Sequence, residues 1–201
     1  MVFHRHGIAR GDTIVEVMFA IAVFALVATG SLAVMNRGVQ TTQRSLEITQ
    51  VRQAMNDQAE VLRYIQQNAL AGDAVDSKIW NNLIASTNTE STASKFGLNA
   101  SNQCPSSRFG LGLGSHPFVI DPSTMQPETS NLFGDSGSVA YPQIVHDKTT
   151  GSYLGTYGLW DEAVKPRGTT NFVDFNIRAC WDAPGGGVPV TLGTVVRLYV
   201  Q

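Results

Sequence analysis

Glu16 is the residue whose chemistry most needs a reason. It closes the sequence Asp12-Thr13-Ile14-Val15-Glu16 and is followed by Val17-Met18-Phe19-Ala20-Ile21-Ala22-Val23-Phe24-Ala25-Leu26-Val27-Ala28-Thr29, with no further charge until Arg37. A carboxylate in hydrocarbon costs roughly 2.5–3.5 kcal/mol at mid-membrane and less near the interface, so one placed here calls for a cationic partner. Nothing else in the chain forms a reactive constellation. His4, His6, His116 and His146 are dispersed, without zinc-ligand spacing. Asp121, Glu128, Asp135 and Asp147 are acids in expected loops that could meet calcium, but they lack the EF-hand pattern. Gly110-Leu111-Gly112-Leu113-Gly114 has no Lys-Ser/Thr after it and reads as a loop rather than a phosphate cradle. No nucleophile elbow is present. The sequence therefore predicts no catalytic residue, no metal site and no cofactor.

The elements around Glu16 are long and simple. A run of about 19 apolar residues is enough to cross a bilayer as a helix. Beyond Asn36 the chain turns polar but keeps a helical stripe of Val39, Leu46, Val51, Met55, Leu62, Ile65 and Ala69. Gly72 is a natural stop. A helix over 13–71 would be about 90 Å long at 1.5 Å per residue. This divides the chain into 1–11, a basic leader; 12–35, a membrane half-helix; 36–72, an amphipathic half-helix; and 73–201, a globular head.

Within the head, Ile79, Trp80, Leu83 and Ile84 predict a short helix over 76–86, capped by Asp76 or Ser77. Residues 86–94 are a polar loop. Strands are expected in 117–120, 138–145 and 153–164. The C-terminus is more regular: Val173, Phe175, Ile177, Ala179 and Trp181 alternate with Asp174, Asn176, Arg178 and Cys180, and 190–200 returns as a second strand of an antiparallel hairpin. Trp80, Trp160 and Trp181 are read as core residues. The fold class is thus α+β, a long N-terminal helix on a small antiparallel head.

Charge is low. Without residues 1–11 the chain carries 12 basic and 16 acidic residues, a formal charge of −4, which gives no nucleic-acid signal. Arg5 and Arg10 precede the apolar run, in keeping with a cytoplasmic N-terminal side, although Arg37 and Arg44 follow it. If the head is exported, Cys104 and Cys180 form a disulfide; if it is not, they are two buried thiols.

The first 40 residues resemble the signal of type IV prepilins and pseudopilins. The matching features are a short basic leader ending in Gly11, Thr13 and Ile14, a Glu at the fifth position after the glycine, and an apolar helix. Asp12 stands where that family most often has Phe or Met, and Ser31-Leu32-Ala33-Val34 replaces the mid-helix proline of many major pilins. The resemblance implies cleavage between Gly11 and Asp12 by a prepilin peptidase and methylation of the new amine. It also implies retention in the cytoplasmic membrane, then assembly with other pilin subunits into an extracellular filament with a lollipop-shaped subunit. Glu16 would neutralise the amine of a neighbouring subunit, with Asp12 a second carboxylate beside it. The implied protein is a non-enzymatic structural subunit, more in keeping with a minor pilin of a type IV pilus than the major one, in a filament serving adhesion, motility or DNA uptake. The alternatives are a pseudopilin of a type II secretion or DNA-uptake machine, or a single-pass surface protein whose head binds a ligand.

Overall fold

A computed structural model describes residues 12–87, 104, 117–130, 140–165, 168, 171–182 and 188–200. The leader, the Gly110–Gly114 run, His116 and Asp135 lie outside these residues, as do 88–94 of the expected polar loop and residues 183–187. The architecture is α+β. Helix α1 (Asp12–Leu70) and helix α2 (Ala74–Ala85) precede strands β1 (Phe118–Asp121), β2 (Gln126–Thr129), β3 (Gln143–His146), β4 (Tyr153–Tyr157), β5 (Leu159–Val164), β6 (Phe172–Trp181) and β7 (Val190–Tyr199). The chain forms two compact units, Met1–Gln43 and Arg44–Gln201, divided within α1.

The described residues of the first unit are helical. From 14 to 46 no side chain is buried, and Phe19, Phe24 and Leu26 are 71, 74 and 73 % exposed. The best 18-residue window reaches a mean hydropathy of 2.4, long and apolar enough to cross a membrane. Its hydroxyls are satisfied within the helix: Thr29 Oγ1 donates to the carbonyls of Ala25 and Leu26, and Ser31 Oγ donates to that of Val27.

In the second unit, α1 turns one stripe inward. Val51, Met55, Ala59, Leu62 and Ile65 are buried at three- and four-residue steps. Val39 and Leu46, expected on this stripe, are instead 47 and 59 % exposed; Glu47 and Gln58 occupy buried positions in its register. The helix ends in a Schellman motif: Gly72 has φ +91°, Gly72 N–H donates to Ala69 O, and Asp73 N–H donates to Asn68 O. Asp73 then caps α2, accepting from the amides of Val75 and Asp76. The cap is therefore Asp73, not Asp76 or Ser77, because the turn out of α1 is only three residues long. The Asp76 carboxylate instead accepts from Asn68 Nδ2 at 2.7 Å.

A five-stranded antiparallel sheet has the order β2-β1-β5-β6-β7, and β3-β4 form a separate antiparallel pair. β6 and β7 pair without a slip from Phe172↔Tyr199 to Trp181↔Val190. Val173, Phe175, Ile177, Ala179 and Trp181 join the buried stripe of α1 and the α2 residues Ile79, Trp80 and Leu83 in one core. Trp80 packs tilted against Phe175 and Phe118 meets it edge-on, at centroid distances of 5.9 and 6.5 Å. Cys180 lies on the opposite face of β6, disulfide-bonded to Cys104 with Cα atoms 5.6 Å apart. Trp160, also buried, donates from its indole N–H to Glu162 at 3.3 Å.

Candidate functional site

Of the residues singled out in the sequence, Gly11 lies outside the described residues and Asp12 opens α1. Glu16 is exposed on α1, one turn into the helix, among Ile14, Val15, Val17 and Met18, which are 57–68 % exposed. Among the described residues it has no ion-pair partner within the chain. The sleeve of exposed apolar side chains is costly in water, and the carboxylate set in it is costly in lipid. A continuous apolar surface of this extent marks contact with lipid or with other protein. Gly30 and Gly38 sharpen the point: a Cβ at either would meet nothing within 4 Å. Each glycine costs a helix roughly 1 kcal/mol relative to alanine, with no packing gain inside the chain.

In the second unit, polar groups tie α1 to the sheet. Glu47, 8 % exposed, accepts the indole N–H of Trp181 at 3.0 Å. Gln58, fully buried, donates to Ile120 O and accepts Ile120 N–H, both at 2.8 Å. β1 leaves β5 after the single Phe118↔Asp161 pair, and the Gln58 amide takes the place of the missing strand at Ile120. Gln66 Nε2 donates to Tyr199 O at 2.6 Å.

Asp121 and His146 also come together. The Asp121 carboxylate is fully buried at the end of β1, 2.8 Å from His146 Nε2, and it accepts from the Ser123 amide and the Ser123 and Thr124 hydroxyls. Burial opposes its charge, but these bonds together hold its carboxyl below the usual range. His146 borders an open cleft of about 300 Å³ between α1, at Gln50, Gln53 and Asp57, and the segment Tyr141-Pro142-Gln143. Glu128 lies in β2 rather than a loop, and Asp147 accepts from the amides of Thr149 and Thr150 in its own turn. Asp121 and Asp147 thus have separate local roles; among the described residues no three His, Cys, Asp or Glu converge as a metal site.

Asp161 is the unusual acid. It lies on the α1-facing side of β5, opposite Ile177, fully buried, with neither oxygen hydrogen-bonded. Burial, then the charge of Glu162, pushes its carboxyl well above the aspartate range.

Sequence reasoning missed Glu47, Gln58 and Asp161. The first two had a signal: polar residues at 47 and 58 in step with 51, 55, 62 and 65. Asp161 had none, because Leu159-Trp160-Asp161-Glu162-Ala163-Val164 shows no alternation. Comparison with known proteins finds no matching family model, no curated relative and no similar solved structure.

Proposed function

We propose that the chain is a type IV pilin-like structural subunit, of the minor-pilin kind, made as a single-pass membrane precursor. A prepilin peptidase cuts between Gly11 and Asp12. The apolar part of α1 holds the product in the cytoplasmic membrane until it bundles with the helices of other subunits. The filament then carries the head outside the cell, where the Cys104–Cys180 disulfide is stable. The protein catalyses nothing; it is a substrate of its processing enzyme.

One observation carries this reading: Glu16, five residues after Gly11, is a carboxylate on the apolar part of α1, where no side chain from 14 to 46 is buried. A new amine on Asp12 of a neighbouring subunit would neutralise it, and only one axial register of two helices brings those charges together. The exposed Gly30 and Gly38 suit close helix approach in such a bundle. Intact-mass and N-terminal analysis of protein from its own cells tests the reading. The expected chain starts at Asp12, with or without one added methyl. A chain that keeps residues 1–11, or is cut beyond the apolar run, overturns it.

A further inference from the structure

The two edges of the five-stranded sheet differ. Cys180 N–H donates to Gly158 O at 2.9 Å, towards β5. Hydrogen bonding alternates along an antiparallel ladder, so the odd-numbered residues of β6 bond to β7. Their partners are Val190, Leu192, Thr194, Val196 and Leu198. The N–H and C=O groups of Thr191, Gly193, Val195, Arg197 and Tyr199 must then point off the sheet. Tyr199 agrees, because its carbonyl accepts from Gln66. The other four have no backbone partner among the described residues, and all four are exposed.

The β2 edge is blunted. Ser130 N–H donates to Pro117 O, so Gln126 and Glu128 bond to β1 and Pro127 faces outward, without an N–H to offer. β7 has none of the usual protections of an edge strand: it is ten residues long and contains no Pro, Lys, acid or bulge. Its one charge, Arg197, is held by Asp174 at 2.7 and 2.9 Å.

We propose that β7 is a self-association edge, where a second copy of this chain adds its own β7 antiparallel about a two-fold axis through Val195. Outward groups must meet outward groups, so odd residues pair with odd. About Val195, Gly193 faces Arg197 of the other copy. Each arginine thus meets a glycine and keeps its own Asp174, so no like charges oppose. Val195, 58 % exposed, meets its own copy as an apolar β-branched pair. Gln66 closes the Tyr199 end and confines the pairing to residues 193–197. The contact is isologous and self-limiting. It uses no residue of the apolar half of α1, so it stands apart from the filament reading.

The test is the mass of the full-length protein in detergent micelles, by light scattering that separates protein from detergent. Wild type is expected as a dimer. Val195→Pro is expected as a monomer with an unchanged circular dichroism spectrum and thermal midpoint, since its N–H serves nothing in the fold. Should Val195→Pro fail to fold, charge substitution decides: Val195→Lys and Val195→Glu are each expected as monomers, and their equimolar mixture as a dimer. Glu16→Ala is expected to leave the dimer intact. A monomeric wild type, a dimeric Val195→Pro, a mixture that stays monomeric, or loss of the dimer in Glu16→Ala would each overturn the proposal.

Discussion

The side chain of Gln58 and the backbone of Ile120 form a closed two-bond pair, with both contacts at 2.8 Å across 62 positions of sequence. A primary amide side chain can present one of its N–H groups and its C=O side by side, in the geometry of a peptide group. It therefore completes β1 where β5 has turned away. Gln58→Leu leaves a buried N–H and a buried C=O without partners, each costing roughly 1–3 kcal/mol. Gln58→Glu keeps only the acceptor and is expected to fall at least as far. Urea unfolding followed by tryptophan fluorescence measures both; a loss below 1 kcal/mol in Gln58→Leu would mean that water replaces the pair.

Asp161 sets a pH dependence opposite to that of an ordinary aspartate. Its folded pKa lies above its unfolded one, so the folded state holds the proton more tightly. The resulting stabilisation is full below the ordinary value of 3.8 and is lost as pH rises from there through the raised value. Asp161→Leu removes a buried carboxylate with no hydrogen-bond partner. It should stabilise the protein by roughly 1–3 kcal/mol at neutral pH, the cost of one unpaired buried polar group. It should also flatten this segment of the stability–pH curve. Equal slopes in the variant and the wild type would show that Asp161 is not the titrating group.

Cys104 and Cys180 stand 76 positions apart. Closing a loop of that length contributes about 4–5 kcal/mol in the chain-entropy description. Cys104→Ser with Cys180→Ser, or reduction of the wild type, should lower stability by up to that amount. The double variant should be insensitive to reductant, and thermal melts with and without dithiothreitol compare the two.

Glu16→Ala separates processing from assembly. If the carboxylate only pairs with a neighbouring amine, the variant is cleaved normally after Gly11 and accumulates in the membrane, but it enters filaments poorly when co-expressed with wild type. Mass spectrometry of membrane and sheared-filament fractions reads both steps. Equal incorporation of the variant would remove the pairing role.

The parts legible in the sequence are those where one pattern repeats over many residues. The apolar run with the stripe from Val51 to Ile65 defines α1, and ten alternating residues in β6 with ten returning in β7 define the hairpin. β1, expected at 117–120, lies at Phe118–Asp121, whereas β2 has only four residues, too few for a period to stand out, and Pro127 hides it. The α2 cap leaves no separate signal because Asp73 follows directly on Gly72, so one three-residue turn both ends α1 and starts α2. Asp121 and His146 are 25 positions apart, and a pairing set by chain path rather than spacing leaves no local trace. Glu16 was legible because charge is rare in an apolar run; Asp161 was not, because its strand offers no contrast.

Glu47, Gln58 and Gln66 give α1 a mechanical character. They bind it to Trp181, Ile120 and Tyr199 at points about 16 and 12 Å apart along its axis, at 1.5 Å per residue. A pull along the helix would load these bonds and the buried stripe together, in shear, instead of peeling them one at a time. Tension arriving through α1 would therefore be shared between strands β1, β6 and β7, and the second unit would yield as a whole or hold as a whole.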